Sequence, residues 1–224
     1  MEKVAIIPAR GGSKRIPRKN IKSFLGQPII NYPIKVALSS GLFDEVVVST
    51  DDEEIAAIAQ DQGARVPFMR SARNADDYAT TVDVLQEVLL QLPSYEIGCC
   101  IYPTAPLVSI GRLQQALSLL LDHQYNTVFP VVRYSYPIDR SLQLTDQHRV
   151  TMRWPENLNV RSQDLPEAYH DAGQFYWFRS AYLQKEQTLY GNNSGAIVLP
   201  SGEVQDIDTP EDWQLAELKA QRLW

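Results

Sequence analysis

The chain has 224 residues, of which 44% are hydrophobic and 21% are charged, and its formal net charge is −6. This composition is that of a folded globular protein and excludes a disordered or fibrous chain. The acidic balance gives no general electrostatic reason to bind nucleic acid or anionic lipid, and no apolar run approaches the roughly 20 residues of a membrane span.

Apolar runs alternate with helical patterns over the first part of the chain. Strands are predicted at residues 3–8, 45–50, 65–68, 96–103 and 126–132, and helices at 28–40, 51–64, 80–92 and 110–121. The strands are continuous apolar runs, which is typical of a parallel sheet that is covered on both faces. The sequence therefore predicts a doubly wound α/β domain with a mostly parallel sheet, formed by residues 1–224 as one unit.

The pattern changes in the last part of the chain. Residues 134–170 are rich in Tyr, Pro, Arg, Asp and Gln and have no clear helical period. We expect them to form an extended excursion with a hairpin and a long loop, which is too polar to fold alone and would be explained by a subunit contact in a homodimer. Further strands are predicted at 174–179 and 203–208. A terminal helix follows over 210–223, with Thr209 as its N-cap.

The N-terminal segment, MEKVAIIPAR, is interpreted as a buried strand that runs into a basic loop. It lacks the longer apolar region and the small-residue cleavage site of a signal peptide, so we expect the protein to stay in the cytoplasm. The two cysteines, Cys99 and Cys100, are adjacent in an apolar run. We interpret them as buried thiols in a strand rather than as a redox pair.

A basic loop with paired glycines, IPARGGSKRIPRKN, follows the first predicted strand. Ligands of open parallel sheets bind beyond the carboxyl ends of the strands, and paired glycines let backbone N–H groups approach a phosphate. The loop is neither a P-loop nor a Rossmann fingerprint, and the alternative is a solvated basic turn. Its side chains could neutralise a polyphosphate through Arg10, Lys14, Arg15, Arg18 and Lys19.

Two carboxylates form the motif Asp206-Ile207-Asp208 near the C-terminus. Residues two apart in a strand point to the same face, and two carboxylates on one face repel each other unless a cation lies between them. Such hard oxygen ligands suit Mg²⁺, so we predict a magnesium site, with ordinary surface charge as the alternative. Asp51 and Asp52, which end the second predicted strand, are interpreted as helix-capping carboxylates.

The basic loop resembles the CTP-binding loop of the sialic-acid cytidylyltransferase family, whose pattern is roughly A-R-x-G-S-K-G-[IL]-P-x-K-N. The resemblance extends through VVVSTDDEEIA, IYPTAP and DID over nearly the whole chain. It is strongest to the pseudaminic acid branch, which shares GSKRIPRKN and YHDAGQFYW, and Arg15 agrees with that branch where the neuraminic acid enzymes have glycine. The resemblance implies a fold of the nucleotide-diphospho-sugar transferase type. It also implies transfer of CMP from CTP to the anomeric hydroxyl of a nonulosonic acid, with Mg²⁺ as cofactor.

Site residues follow from the same resemblance. The nucleotide would be bound by Ala9, Arg10, Gly11, Gly12, Ser13, Lys14, Lys19, Asn20, Arg70, Thr80 and Thr81. Catalysis would depend on Arg10, Lys14, Lys19 and Asp208, with the metal on Asp206 and Asp208. Candidate sugar contacts are the end of a strand and a polar cluster in or just after the excursion, namely Tyr102, Thr104, Arg161, Gln163, His170, Asp171 and Gln174. For Thr80 and Thr81 the alternative is a helix-capping pair, and for Arg70 a surface position.

We predict pseudaminic acid as the acceptor, because the strand end of this chain is less polar than that of the neuraminic acid enzymes. Pseudaminic acid is also less hydroxylated and more apolar than N-acetylneuraminic acid. Where the neuraminic acid enzymes resemble Q-P-T-S-P-L-R, this chain has YPTAPLV. Tyr102 therefore replaces a glutamine and Val108 an arginine, and an aromatic ring favours methyl and acetyl contact. His170 stands where that family tends to have arginine. The alternatives are the same chemistry on N-acetylneuraminic acid or a 3-deoxy-octulosonate, and a non-catalytic nucleotide-binding module on the same fold.

Overall fold

A mixed β-sheet with helices on both faces organises the chain in the computed structural model, which describes residues 1–92 and 95–224. The strands, in chain order, are β1 (Lys3–Pro8), β2 (Ser23–Phe24), β3 (Gln27–Pro28), β4 (Glu45–Ser49), β5 (Ile97–Ile101), β6 (Thr127–Arg133), β7 (Leu142–Leu144), β8 (Val150–Met152), β9 (Tyr169–Asp171), β10 (Phe175–Arg179) and β11 (Ser194–Leu199). The helices are α1 (Asn31–Ser39), α2 (Glu53–Asp61), α3 (Thr81–Gln91), α4 (Ile110–Asp122), α5 (Ser180–Glu186) and α6 (Pro210–Leu223).

The main sheet has seven strands in the part of the chain that the structure describes, in the order β11–β6–β10–β5–β1–β4, with β9 also pairing with β6. β1 is parallel to β4 and β5, and β11 is parallel to β6. β10 is antiparallel to both of its neighbours, and β9 is antiparallel to β6. The predicted mostly parallel α/β sheet is confirmed. The antiparallel strands follow the excursion, where the chain returns to the sheet through a loop rather than through a crossover helix.

Both faces of the sheet are buried, which explains the continuous apolar runs. Ala5 and Ile7 of β1 belong to a core formed with α1, α2 and α4, whereas Val4 and Ile6 belong to a second core formed with α3 and α5. All four side chains are fully buried. Because successive residues of a strand point to opposite faces, a strand between two helical layers has to be apolar at every position.

Most of the predicted elements lie within a few residues of their predicted bounds, but the strand predicted at 65–68 is wrong. Arg65 and Met69 form isolated bridges beside β4, and Pro67 between them lacks the N–H group that a continuous ladder needs. The helix predicted at 28–40 is α1, which starts three residues later, after the short β2–β3 hairpin. The sequence pattern did not indicate α5 or β11.

The strand predicted at 203–208 is also wrong. Residues 201–203 form a 3-10 turn, and residues 204–208 have no strand partner among the described residues. Asp206 and Asp208 therefore lie on an irregular segment, and strand alternation does not explain their orientation. The carbonyl oxygens of this segment accept hydrogen bonds from side-chain nitrogens: Glu203 from Gln174 (2.5 Å), Val204 from Lys219 (2.6 Å) and Ile207 from Lys19 (2.7 Å).

Residues 134–170 form the expected extended excursion. It contains the exposed hairpin of β7 and β8, joined to the sheet through β9, and short 3-10 turns that include Pro155–Asn157 and Ser162–Asp164. Large apolar side chains on its surface are more than half exposed, namely Tyr136, Leu142, Leu144, Val150 and Leu158. The excursion thus has an apolar surface that its own fold leaves uncovered.

Three smaller predictions concern the cysteines, the cap of α6 and the absence of a membrane span. Cys99 and Cys100 are fully buried in β5, and burial raises the pKa of both thiols, as expected for unreactive cysteines. Thr209 caps α6, because its side chain accepts a hydrogen bond from Asp212 N–H. Within residues 1–92 and 95–224, no helix has both the length and the apolar character needed to span a bilayer.

Candidate active site

A cavity opens beyond the carboxyl ends of β1 and β5, where the basic loop leaves the sheet. Its volume is ≈ 490 Å³, and we call it the cationic cavity. It is lined by the basic loop, the segment before α3 and the end of β5: Pro8, Arg10, Ser13, Lys14, Arg15, Lys19, Asn20, Arg70, Asn74, Asp76, Asp77, Ala79, Thr80, Thr81, Val84, Tyr102, Pro103 and Thr104. The carboxyl edge of a parallel sheet is the usual place for a ligand in this class of fold.

The backbone of the basic loop is fixed to the neighbouring end of β4. Ala9 N–H donates to the last carbonyl oxygen of β4 (2.9 Å), and Gly11 N–H donates to Asp51 Oδ1 (2.9 Å). A Cβ atom at Gly11 would lie 2.6 Å from Asp52 Oδ2, so this close approach requires a glycine. Asp51 thus holds the loop and is not the helix cap that we expected, whereas Asp52 is the N-cap of α2.

The tip of the loop is a tight turn around the second glycine. Ser13 N–H donates to the Gly11 carbonyl oxygen (3.1 Å), and a Cβ atom at Gly12 would have no other atom within 4 Å. Asn20 is buried at the base of the loop, where its Nδ2 donates to the Arg10 carbonyl oxygen (2.9 Å). Asn20 therefore holds the loop in shape and also lines the cavity.

Arg10 and Lys14 converge on one carboxylate, Asp77. Arg10 Nη1 donates to Asp77 Oδ1 (3.0 Å) and to the Asp76 carbonyl oxygen (3.0 Å), and Lys14 Nζ pairs with the other oxygen of Asp77. The pKa of Asp77 is lowered, first by Lys14 and then by Arg10. The two cations are thus close enough together to bind different oxygens of one phosphate group.

Lys19 and Arg15 connect the loop to the C-terminal acidic motif. Lys19 Nζ donates to the Ile207 carbonyl oxygen (2.7 Å) and lies 3.7 Å from Asp208 Oδ1. Arg15 Nη1 lies 2.6 Å from Asp208 Oδ2. The loop and the acidic motif, at opposite ends of the chain, therefore form one site.

Arg18 is the loop cation that the structure turns away from the cavity. Its guanidinium pairs with Asp52 and Glu54 at the start of α2. The pKa of Asp52 is lowered, chiefly by its hydrogen bond from Arg18. Arg18 therefore fastens the loop to α2, and the expectation that it also faces a polyphosphate does not fit this geometry.

Arg70 is buried rather than at the surface, which excludes the alternative interpretation of this residue. The residue is 7% exposed, and its guanidinium donates to the side-chain oxygen (3.0 Å) and the carbonyl oxygen of Ser49. Burial lowers the pKa of Arg70, and the negative charge of Asp51 partly offsets this effect. A buried arginine on a cavity wall is held in one orientation and can recognise a planar polar ligand.

Thr80 and Thr81 combine the two roles that the sequence left open. Thr80 is the N-cap of α3 and forms a capping box with Asp83, and both threonines line the cationic cavity. Thr81 Oγ1 lies 3.3 Å from the Tyr102 hydroxyl. Thr104, the other predicted strand-end residue, lines the same cavity.

The two carboxylates of the acidic motif line a second cavity of ≈ 540 Å³, which we call the acidic cavity. Its other lining residues come from the end of β6, the β9 region and α6: Val132, Arg133, Tyr134, Ser135, His170, Asp171, Ala172, Ser201, Val204, Gln205, Asp212 and Lys219. Asp206 is exposed at its rim, yet its pKa is raised. The carboxyl group is partly withdrawn from water, and the Asp208 carboxylate lies close to it.

The acidic motif is better explained as a binding site for a divalent cation than as two carboxylates without a ligand. Burial raises the pKa of the Asp206 carboxyl, the Asp208 carboxylate raises it further, and Lys19 partly offsets both effects. Two hard oxygen donors, completed by phosphates and water, are a usual magnesium site. Within the described residues there is no group of three or more His, Cys, Asp or Glu side chains that could hold a metal ion.

The predicted sugar contacts after the excursion fall into different places. His170 and Asp171 line the acidic cavity, and the His170 ring packs against Tyr134 (4.8 Å between centroids). Asp171 Oδ1 accepts a hydrogen bond from Gly173 N–H (2.8 Å). Gln174 is 2% exposed, and its hydrogen bond to the segment before Asp206 is structural support for that segment.

Three further predicted residues lie apart from this site. Arg161 and Gln163 are exposed on the excursion, and neither lines the cationic or the acidic cavity. Val108 is buried in the core, at 4% exposure, so the exchange of an arginine for Val108 changes packing and not the wall of a described cavity. The structural support for an apolar acceptor site therefore comes from Tyr102.

Sequence reasoning missed residues that the fold brings to the site. Asp77 is 67 residues from Arg10, and Tyr190 lies in a loop after the unpredicted helix α5. Tyr190 and Tyr176 both donate to Asp171 Oδ2, the latter at 2.8 Å. Exposed carboxylates and scattered tyrosines carry no motif, and the string YHDAGQFYW was the one signal that pointed to this neighbourhood.

Comparisons with known proteins show the family to which the chain belongs. The family model described as "Cytidylyltransferase" matches residues 4–204. The chain is 45% identical to a pseudaminic acid cytidylyltransferase of Campylobacter jejuni, over 97% of this chain and 96% of that protein. It is 33% identical to N-acylneuraminate cytidylyltransferase A of Danio rerio, over 97% of this chain and 50% of that protein.

The fold is also that of a solved enzyme. The structure of a CMP:2-keto-3-deoxy-manno-octonic acid synthetase complexed with CTP matches all of this chain and all of that chain, with a TM-score of 0.74 at 18% sequence identity. At this identity the likeness concerns the fold alone. With the family model covering most of its length and full-length relatives above 30% identity, this chain belongs to the cytidylyltransferase family of nucleotidyltransferases.

Proposed function

We propose that this chain transfers CMP from CTP to the anomeric hydroxyl of pseudaminic acid and releases pyrophosphate. The observation that carries the proposal is the contact between the basic loop and the acidic motif, through Lys19 and Arg15, at the carboxyl edge of the sheet. This contact would bring phosphate-binding cations and a metal-binding carboxylate pair side by side. The relative at 45% identity, a pseudaminic acid cytidylyltransferase, supports the choice of acceptor.

The triphosphate would lie in the cationic cavity. Arg10 and Lys14 would exchange Asp77 for phosphate oxygens, and Lys19 would contact the phosphates next to Asp208. Backbone N–H groups around Gly12 have room for a phosphate, since a Cβ atom there would meet no neighbour within 4 Å. The buried Arg70 and the threonine pair at the start of α3 would bind the nucleoside.

In the reaction, the anomeric oxygen of the sugar forms a bond to the α-phosphorus as the bond to the bridging oxygen of the β-phosphate breaks. The hydroxyl proton leaves to water, and pyrophosphate carries away the electron pair of the broken bond. Transfers of this kind depend mainly on positioning and charge stabilisation. Arg10, Lys14 and Lys19 supply positive charge where the leaving pyrophosphate becomes more negative.

Asp206 and Asp208 would hold Mg²⁺ against the phosphates. When bound, the ion would neutralise phosphate charge and lower the pKa of the sugar hydroxyl. The chain sets the position of these carboxylates through Lys19, whose hydrogen bond to the Ile207 carbonyl oxygen holds the acidic motif against the basic loop.

The acceptor would lie beside Tyr102, with its polar groups toward the acidic cavity. Tyr102 is half-buried at the end of β5, and its ring packs on Tyr176 (5.4 Å between centroids). These rings favour methyl and acetyl groups over hydroxyl groups. Pseudaminic acid has an acetamido group in place of one hydroxyl and a terminal methyl, which N-acetylneuraminic acid lacks.

The chain would act as a homodimer in the cytoplasm, where CTP is available. Residues 134–170 would form the subunit contact, because their large apolar side chains are exposed in the part of the chain that the structure describes. In such a dimer the excursion would carry Arg161 and Gln163 to the neighbouring subunit, which would account for their distance from the cavities of their own chain.

The proposal is tested by measuring pyrophosphate release from CTP with Mg²⁺ and a panel of acidic sugars. We expect release with pseudaminic acid and little without sugar. Preference for N-acetylneuraminic acid or a 3-deoxy-octulosonate would reassign the acceptor and keep the chemistry. CTP binding without turnover on any nonulosonic acid would instead support a non-catalytic nucleotide-binding module.

A further inference from the structure

A third cavity adjoins the cationic cavity on the side of α3 and α5. It has a volume of ≈ 280 Å³, and we call it the tyrosine pocket. Its lining residues are Thr80, Thr81, Val82, Tyr102, Tyr176, Gln187, Thr188, Leu189 and Tyr190. It shares Thr80, Thr81 and Tyr102 with the cationic cavity, so the two cavities are direct neighbours.

Asp171 stands behind this pocket and binds two of its tyrosines. Its Oδ2 atom accepts hydrogen bonds from the hydroxyls of Tyr176 (2.8 Å) and Tyr190, while its Oδ1 atom accepts one from Gly173 N–H (2.8 Å). Burial and the nearby carboxylate raise the pKa of both phenols, which therefore stay protonated and keep donating. Both oxygens of Asp171 are thus engaged by the protein.

The two tyrosines belong to different parts of the fold, and Asp171 joins them. Tyr176 is buried in β10, whereas Tyr190 is 53% exposed in the loop that follows α5. The loop begins at Gln187, which has a φ of 53°. Within the loop, hydrogen bonds link Thr188 to Tyr190. The bond from Tyr190 to Asp171 therefore fastens this loop to the sheet.

A row of packed aromatic rings connects these tyrosines to the cationic cavity. Tyr190 packs on Phe129 (5.0 Å between centroids), and Phe129 packs on Tyr176 (5.8 Å). Tyr176 packs on Tyr102, whose hydroxyl meets Thr81. Because the hydroxyls of Tyr176 and Tyr190 point to Asp171, the pocket presents their rings and not their polar ends.

We propose that Asp171 is a positioning residue that holds Tyr176 and Tyr190 so that the tyrosine pocket receives an apolar substituent of the acidic sugar. This inference rests on the proposed function and names a determinant of its acceptor specificity. Asp171 acts through the tyrosines and does not bind the sugar directly, in contrast to the direct contact that the sequence suggested.

The test compares Asp171→Asn, Tyr190→Phe and the double variant with the wild-type chain. The amide of Asp171→Asn has one acceptor oxygen, so it cannot accept from Gly173 N–H and from the two phenols as the carboxylate does, and part of this arrangement is lost while the side chain stays isosteric. Tyr190→Phe keeps the ring and removes one hydroxyl. The matched control is Tyr95→Phe, which removes a phenol that donates to the Glu45 carboxylate away from the three cavities.

We expect the KM for pseudaminic acid to rise about tenfold in Asp171→Asn and less in Tyr190→Phe, with the KM for CTP unchanged within about twofold. The ratio of specificity constants for pseudaminic acid over N-acetylneuraminic acid should fall in both variants. Because the two changes break one interaction, the double variant should be no worse than Asp171→Asn. Tyr95→Phe should leave both KM values unchanged.

Unchanged sugar KM and unchanged sugar preference in folded Asp171→Asn would overturn the inference, whatever happens to the melting temperature. If Asp171→Asn does not fold, the same two measurements on Tyr190→Phe decide it. Equal losses in the KM for CTP and for the sugar would also contradict it. A wild-type chain that turns over CTP on a different sugar class would overturn the proposed acceptor first, and the inference with it.

Discussion

The Arg15 guanidinium lies 2.6 Å from the Asp208 carboxylate, and this ion pair joins the loop after the first strand to the segment before the last helix. Arg15 lines the cationic cavity and Asp208 lines the acidic cavity, so the pair marks the place where the two cavities meet. Arg15 is 67% exposed and can turn away. A bound metal ion would therefore take the place of Arg15 beside Asp208, and a bound phosphate would take the place of Asp208 beside Arg15.

The acidic motif gives the first prediction. Asp208→Asn should lower turnover by orders of magnitude, and Asp206→Asn should also be damaging, because each change removes a hard oxygen ligand and a negative charge from the proposed Mg²⁺ site. The fold should be intact in both variants. Turnover measured against Mg²⁺ concentration checks this, since loss of a ligand should also raise the concentration required for half of the maximal rate.

Glu211→Gln is the matched control for this experiment. Glu211 is exposed in the first turn of α6, close to the acidic motif, and its substitution removes the same charge. Its Mg²⁺ dependence should equal that of the wild-type chain. If Asp206→Asn and Asp208→Asn behave like Glu211→Gln at limiting Mg²⁺, the metal assignment is wrong.

The second prediction concerns the basic loop. Arg10→Ala and Lys19→Ala should each weaken CTP binding or turnover, because each removes a charge-assisted contact of about 1.5–3 kcal/mol. Isothermal titration with CTP measures the loss. Lys35→Ala is the control, since Lys35 is exposed on α1, donates to Gln27 and does not line the cavity. Unchanged affinity and turnover in Arg10→Ala and Lys19→Ala would reduce the loop to a solvated turn.

The third prediction is that Asp77 competes with the phosphates. Asp77 pairs with both Arg10 and Lys14, and CTP would have to take over these cations. Asp77→Asn should therefore bind CTP several-fold more tightly at low salt, with a smaller gain at high salt because screening weakens exposed ion pairs.

Asp76→Asn is its control. The Asp76 carboxylate accepts hydrogen bonds from the N–H groups of Tyr78 and Ala79 and is not paired with a cation in the recorded contacts of the described chain. The change in CTP affinity should be smaller than in Asp77→Asn. Weaker CTP binding in Asp77→Asn would mean that this carboxylate orients the cations and does not compete for them.

The fourth prediction is the assembly. Sedimentation at micromolar concentration should show a homodimer, and Leu144→Lys should shift it towards the monomer, because a charge on the 69% exposed Leu144 side chain would have to be buried in the contact. Leu218→Lys on α6, where the side chain is 64% exposed, is the control and should leave the dimer intact. A monomer with full activity would contradict the proposed contact.

The sequence was sufficient for the parallel part of the fold and for the basic loop, because both are local patterns. The run KVAIIP is apolar on both faces of β1, and the loop that follows carries its glycines and cations in one string. The sequence did not predict that β10 is antiparallel to its neighbours, since an apolar run such as QFYWFR has the same pattern in a parallel and in an antiparallel strand. β10 is antiparallel because the chain reaches it through a loop, and the residues of β10 themselves do not indicate that connection.

The acidic motif shows that two residues predicted to lie together can do so without the local structure from which they were predicted. Asp206 and Asp208 reach one cavity, but on an irregular segment that is held by Lys19 and Lys219 rather than by a strand partner. The pairing of Asp77 with Arg10 joins residues 67 apart, and it depends on how the segment before α3 crosses the sheet edge. Such contacts are products of the tertiary fold and leave no spacing in the sequence.

The central claim is CMP transfer with a preference for pseudaminic acid, and direct competition between pseudaminic acid and N-acetylneuraminic acid tests it most directly. The measured quantity is the ratio of their specificity constants with CTP and Mg²⁺. A pocket that presents the rings of Tyr102 and Tyr176 leaves the extra hydroxyls of N-acetylneuraminic acid unpaired, so the ratio should favour pseudaminic acid. A ratio in favour of N-acetylneuraminic acid would contradict the account of the acceptor site.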